Sequence, residues 1–326
     1  MYFPSFLRIY PLLLAVVKRL CYNSFMDIKP CFQDIELFIF DLDGTLYLGN
    51  SVIAGAPETV AFLRAAGKKI CFLTNNSSKT SAEYMAKLTH MGFEPVPDEF
   101  CSSTLVTIDY LKRAGKTQNV YFLAPAAVRR EFIEAGINVI TDNHPVGFAD
   151  TPPPEGCLSL TPTSAPHSSL FIQTIIDNCQ SYTVVVGFDT ELTYDNIRTA
   201  CDLLTGGAFF VATHPDKVCP MGHGRSIPDT GSMLKMIEAA TGRKPDVICG
   251  KPFPSMTGYI LKNYGIKDRR YVMMTGDRLS TDIRFGVKNK FIAAAVLTGE
   301  TALAEIEKSK IKPDYVLGSV NDILSQ

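Results

Sequence analysis

The sequence predicts an α/β protein built on an open parallel sheet, with enough length for a second domain beside it. Three observations carry this. Short apolar runs alternate with amphipathic segments of helical period along most of the chain. Glycines stand where those segments stop, at 67, 92, 115 and 242. Finally, 326 residues, 46% of them hydrophobic, supply about 150 apolar side chains, enough for two domains by the usual length prior.

The elements follow in order. Glu36–Phe40 is an apolar run ending in an acidic turn, Glu58–Ala66 carries apolar residues at helical spacing, and Lys69–Leu73 is a second strand. Ser81–Met91 and Leu105–Ala114 read as helices. The alternation resumes with a strand at Val120–Leu123, a helix at Ala126–Ala135 and a strand at Thr183–Val186. A helix at Tyr194–Leu204, a strand at Ala208–Ala212 and a helix at Gly231–Ala240 come next. Strands at Val247–Cys249, Tyr271–Met274, Ile292–Leu297 and Tyr315–Leu317 complete the pattern. Such order implies right-handed crossovers and a sheet covered on both faces. Between Thr141 and Ser169 the pattern fails; six prolines there deny backbone donors to a sheet, so this stretch reads as a surface loop.

Composition narrows the function classes. Lys and Arg total 32 against 33 Asp and Glu, a net charge of −1, which argues against a broad basic nucleic-acid surface. Nine cysteines spread evenly with no CxxC pair fit free thiols in a reducing compartment, and the expected location is cytoplasmic. Residues 1–26 contain Arg8, Lys18 and Arg19 and no acid. Their longest apolar run, Leu12–Val17, is too short for a membrane span, which needs about 20 residues. Lys18-Arg19-Leu20-Cys21 follows where a signal peptide would place small residues. Residues 1–33 are therefore expected to be an N-terminal extension, either a mis-called stretch ahead of a natural start at Met26 or a poorly ordered arm, with an organelle presequence as a further reading.

Acidic residues follow the strand ends, where ligands of open parallel sheets bind. Asp41-Leu-Asp43-Gly-Thr-Leu places two carboxylates close together; they repel unless a cation lies between them or one is protonated, and a hard, oxygen-ligated cation such as Mg²⁺ answers this economically. An acidic turn is the plainer reading of that pair alone. Thr74-Asn75-Asn76-Ser77 ends the next strand with hydroxyl and amide groups suited to a phosphate. Gly250-Lys251-Pro252 offers one ammonium, and Gly276-Asp277-Arg-Leu-Ser-Thr-Asp282 adds a glycine turn and two more acids.

Taken together these segments resemble the haloacid dehalogenase superfamily. The match comprises Asp-x-Asp-Gly-Thr-Leu at 41–46, hydrophobic-Thr-Asn at 73–75, Lys251, and Gly-Asp-x4-Asp at 276–282. The strings Phe72-Leu-Thr-Asn-Asn-Ser-Ser78, Ala212-Thr-His-Pro-Asp216 and Gly250-Lys-Pro are similar to subfamily IIA, the NagD-like, 4-nitrophenylphosphatase and phosphoglycolate phosphatase branch. The resemblance implies a Rossmann-like core, residues 34–105 and 245–326, interrupted by an inserted α/β cap at 106–244 that holds the Pro-rich stretch 144–168. It implies a Mg²⁺-dependent hydrolase of small phosphate monoesters, with Asp41 as nucleophile and Asp43 as general acid and base. Asp43 is then expected to have a raised pKa because of its acidic neighbour. Mg²⁺ would be held by Asp41, the Asp43 carbonyl and Asp277. Thr74, Asn75 and Lys251 would bind the phosphoryl group, with Asp282 holding Lys251 or the metal's waters from behind.

The resemblance also sorts the alternatives. A dehalogenase would not need the second acid, and a P-type ATPase has Thr at the position of Asp43. A phosphomutase, or a catalytically quiet binding or regulatory relative, stays open. Cap loops expected near the site carry Asp189, His214 and Asp216; His223, in a Gly-rich run, has no assignable role. The expected partner is a small phosphorylated metabolite, with no nucleic acid or membrane, and caps in this branch can pair into a homodimer. The substrate itself is not legible.

Overall fold

The computed structural model describes residues 27–140, 179–222 and 225–325. The Pro-rich segment 144–168 and His223 lie outside these described residues, as does 1–26. In chain order the first elements are β1 (Leu37–Asp41), α1 (Ala56–Ala65), β2 (Lys69–Thr74), α2 (Ser81–His90), β3 (Phe100–Ser102) and α3 (Ser103–Arg113). Next come β4 (Val120–Leu123), α4 (Ala126–Glu134), β5 (Val139–Ile140), β6 (Thr183–Val186), α5 (Tyr194–Thr205) and β7 (Phe209–Ala212). A hairpin of β8 (Val218–Gly222) and β9 (Arg225–Pro228) precedes α6 (Thr230–Thr241) and β10 (Val247–Ile248). The chain closes with α7 (Pro254–Tyr264), β11 (Val272–Gly276), α8 (Arg284–Asn289), β12 (Ile292–Val296), α9 (Leu303–Lys308) and β13 (Tyr315–Leu317).

Two parallel sheets result. One has the order β13-β12-β11-β1-β2-β3, and the other β10-β7-β6-β4-β5. In the first, the chain moves outward from β1 on one side and returns through β11 on the other. Strand order therefore reverses between β1 and β11, and the crevice at their carboxyl ends is where such sheets bind ligands. Alternation along β1 explains the double cover: Phe38 and Phe40 pack with Val60, Leu63 and Tyr84 on one face. Leu37 and Ile39 pack with Val106, Leu111, Met256 and Ile260 on the other. The second face is continuous with Val120, Phe122, Val185 and Val211 of the second sheet, whose opposite face is covered by Ile197, Leu203 and Leu204 of α5 and Ile237 of α6.

Two placements differ from the sequence reading. The strand before Gly250, placed there in the catalytic core from 245, pairs with β7 at the edge of the second sheet, Val247 beside Val211. A two-residue strand shows nothing of which sheet it joins; its neighbour in space decides. Residues 27–33 are also part of the fold. Asp27–Ile28 pairs antiparallel with Leu324–Ser325, and buried Phe32 meets Tyr315 edge-on, ring centroids 4.8 Å apart. No disulfide joins any two of the seven described cysteines. Among the described residues no helix is long and apolar enough to cross a membrane.

Candidate active site

The site is assembled by register. Pairing sets Asp41 beside Leu73, with Thr74 one step further along β2, and sets Thr275 beside Phe40, so that Asp277 emerges next to Asp41. Asp41, Asp277 and Asp282 bring carboxylate oxygens within 4.8 Å of one another. Glycine permits this crowding. A Cβ at Gly44, where φ is +88°, or at Gly299 would overlap the Asp277 carboxylate, and one at Gly276 would overlap Asp282.

Lys251 meets two of these three carboxylates. It is 1% exposed, and its Nζ lies 2.5 Å from Asp41 Oδ1 and 2.7 Å from Asp282 Oδ1. Burial alone would lower its pKa, but the Asp282 and Asp41 carboxylates outweigh it and hold the ammonium charged. Asp282 is also tied down by the Arg278 N–H, 3.1 Å from Oδ2, so both of its oxygens are taken by donors. The Asp41 carboxyl is raised well above the usual range by burial first and then by Asp282, despite Lys251.

Asp277 is different. Its Oδ2 accepts the Glu300 N–H at 2.7 Å, while Oδ1 is buried with no hydrogen-bond partner. An orphaned carboxylate oxygen costs about 1–3 kcal/mol. Burial, with Asp282 second, pushes its pKa up to about 7. An oxygen-preferring divalent cation between Asp41 and Asp277 would remove both penalties, so the residues present fit one; Asp282, with both oxygens occupied, is not a free ligand.

Asp43 is exposed at the rim of the site. Its pKa is raised, in the expected direction but for another reason: the protein crowding around it dominates, and Lys87 and the Gly49 N–H oppose the shift. Thr74 Oγ1 accepts the Asn76 N–H at 3.1 Å, leaving its own proton for a ligand. Asn75 lines the site beside Thr74, and its side chain is turned to Lys251. Its side chain spans the Lys251 peptide, Oδ1 taking the N–H at 2.7 Å and Nδ2 reaching the carbonyl at 3.1 Å. An amide spent this way orients Lys251.

Asp41, Asp43, Thr74, Asn75, Lys251 and Asp277 line a cavity of about 240 Å³ together with Leu48, Asp216, Cys219, Pro220, Asp229, Arg278 and Glu300, with Asp282 behind Lys251. Of the three expected cap residues, Asp216 lines it, 3.2 Å from Asn75 Nδ2 and 3.7 Å from the Arg278 guanidinium. Asp189 is buried elsewhere, accepting the Glu191 N–H. His214 is fully buried behind the wall, its Nε2 donating to Asp229 Oδ1 at 2.9 Å and its Nδ1 2.9 Å from Thr213 Oγ1. Burial would lower the His214 pKa, but Asp229 outweighs it and raises it. Sequence reasoning missed Arg278, Glu300 and Asp229. Arg278 sits inside the recognised 276–282 segment, and Asp229 stands directly before an apolar helical run, where an N-cap belongs.

Comparison with known proteins places this geometry. A family model described as haloacid dehalogenase-like hydrolase matches residues 38–138, and a HAD-hydrolase-like model matches 248–323. Phosphoglycolate phosphatase 1A, chloroplastic, of Arabidopsis thaliana is 31% identical over 90% of this chain and 77% of its own length. An acid sugar phosphatase of Staphylococcus aureus is 28% identical over 90% of this chain and 98% of its own. The crystal structure of a 4-nitrophenylphosphatase from Thermotoga maritima superposes with a TM-score of 0.74 at 33% identity, covering 90% of this chain and 97% of that one.

Proposed function

Because the chain belongs to the haloacid dehalogenase-like hydrolases, in the NagD-like subfamily IIA branch, we propose that it is a Mg²⁺-dependent phosphatase of small phosphate monoesters working through an aspartyl-phosphate. The observation that carries this is Asp41, held at a strand end 2.5 Å from a buried ammonium and beside a carboxylate with one unsatisfied oxygen. A phosphate dianion approaching a carboxylate is repelled unless positive charge meets its oxygens. Lys251 supplies one such charge. When bound by Asp41, Asp277 and the Asp43 carbonyl, Mg²⁺ would supply the other.

Asp41 then attacks phosphorus, and the ester oxygen leaves with a proton from Asp43, whose raised pKa suits a group that must start protonated. Asp43 next takes a proton from the water that hydrolyses the aspartyl-phosphate, restoring both groups. Thr74 donates to a phosphoryl oxygen, and Asn75 and Asp282 keep Lys251 aimed. The domains that support this reading are a core of 34–105 and 245–326, less the 247–248 strand, and an inserted cap of 106–244. Hydrolysis of 4-nitrophenyl phosphate should appear with Mg²⁺ and vanish with EDTA. Folded, Mg²⁺-loaded protein with no turnover on it or any other monoester would defeat the proposal in favour of a catalytically quiet relative.

A further inference from the structure

The wall of the cavity opposite the phosphate groups carries an excess of acceptors. Asp216 and Asp229 come from the second sheet's side and Glu300 from the loop after β12. The cation lining this wall, Arg278, is engaged with Glu300 at 2.7 Å and Asp216 at 3.7 Å. Asp229 is the most constrained of the three acids, at 3% exposure. Its Oδ1 accepts both His214 Nε2–H at 2.9 Å and the Thr230 N–H at 2.5 Å. Among the described residues no hydrogen bond reaches its Oδ2, which is left as the oxygen available to the cavity.

The support behind this carboxylate is deep. His214 Nδ1 meets Thr213 Oγ1, which lies 3.1 Å from Ser77 Oγ, and Ser77 in turn accepts the Phe188 N–H at 2.9 Å. A buried chain of four side chains thus fixes one acceptor oxygen. Surface acids that merely solvate a loop are not held this way.

We propose that Asp229, positioned by His214, is a specificity-determining acceptor for a hydroxyl on the leaving group, so that the site takes small hydroxylated phosphate monoesters over carboxylate-bearing ones. This rests on the phosphatase reading above. A hydroxyl finds an oriented oxygen; a carboxylate there meets three acids and one already paired guanidinium. The volume of about 240 Å³ lies below the ~300–1,000 Å³ of pockets for drug-sized ligands, which suits a small leaving group.

The test compares kcat/KM for glycerol 3-phosphate and 2-phosphoglycolate on the full chain with Mg²⁺, alongside 4-nitrophenyl phosphate. The wild type should favour glycerol 3-phosphate by about tenfold or more. Asp229→Asn keeps the shape and the Oδ1 acceptor but turns the cavity-facing oxygen into an NH₂ donor. It should raise KM for glycerol 3-phosphate more than it lowers kcat, and shift the ratio toward 2-phosphoglycolate. Asp229→Ala, checked for folding by circular dichroism, should narrow the ratio without inverting it. A wild type that hydrolyses 4-nitrophenyl phosphate yet prefers 2-phosphoglycolate overturns this inference and leaves the phosphatase reading standing, as does a ratio unmoved by Asp229→Asn. No turnover of any monoester overturns both.

Discussion

Replacing Lys251 with methionine removes the buried cation and keeps most of its volume. Two carboxylates, Asp41 at 2.5 Å and Asp282 at 2.7 Å from Nζ, then face each other in the site with no counter-charge. Breaking a buried pair by deleting one partner costs about 3–5 kcal/mol. With a urea slope of about 3 kcal/mol/M, the unfolding midpoint of the metal-free protein should fall by about 1 M or more. The sign of its pH dependence also follows. Lys251 has a folded pKa above its ordinary 10.5, so its contribution is fully present below that value and is lost only as pH rises through the folded one. Between pH 5 and 8 the wild-type pair therefore keeps its cation. In the variant, Asp41, already raised by burial and Asp282, loses its neutralising partner. A carboxyl with a raised folded pKa loses stability as pH climbs from about 4 through that folded value. The variant should be penalised more at pH 8 than at pH 5, and added Mg²⁺ should recover part of the loss. Urea melts in EDTA at the two pH values measure this. An unchanged midpoint, or a larger deficit at pH 5, would refute the assigned role of Lys251.

Other outcomes follow from the same geometry. Asp41→Asn should reduce turnover by at least about 10⁴-fold and abolish the acid-stable phosphoprotein trapped from a labelled substrate; retained labelling would move the nucleophile elsewhere. Gly299→Ala drives a methyl group into the Asp277 carboxylate, so half-saturation by Mg²⁺ should rise by about 10- to 100-fold, read from activity against Mg²⁺ concentration. His214 has a folded pKa raised by Asp229, so its pairing is fully stabilising below about 6.5 and weakens as pH rises through the folded value. The stability gap between wild type and His214→Gln should therefore shrink with rising pH, and a gap that widens would contradict the pairing.

Much of this site can be read locally. The apolar run before Asp41 and the glycine after Asp43 announce a strand ending in an acidic turn, and the same holds for Thr275-Gly276-Asp277. Other parts give weak local signals. β3 is three residues long and directly follows Asp98-Glu99, so no alternation marks it. The β8–β9 hairpin contains Pro220 and Gly222, residues that usually argue against a strand, and its register shifts there. α7 carries a start signal, Pro254 in its first turn, but two tyrosines, two glycines within reach and a lysine blur its apolar face.

Side-chain periodicity and turn chemistry act between near neighbours, so residues alone settle the alternation, the strand ends and the acids, hydroxyl and ammonium that sit on them. What side chains do once strands stack depends on partners far along the chain. Asn75 turned to the Lys251 peptide 176 positions away, Val247 joined the second sheet, and Asp229 reached the cavity with one oxygen free. Each of those is a competition for hydrogen bonds and space between distant segments, and only the folded packing brings the competitors together.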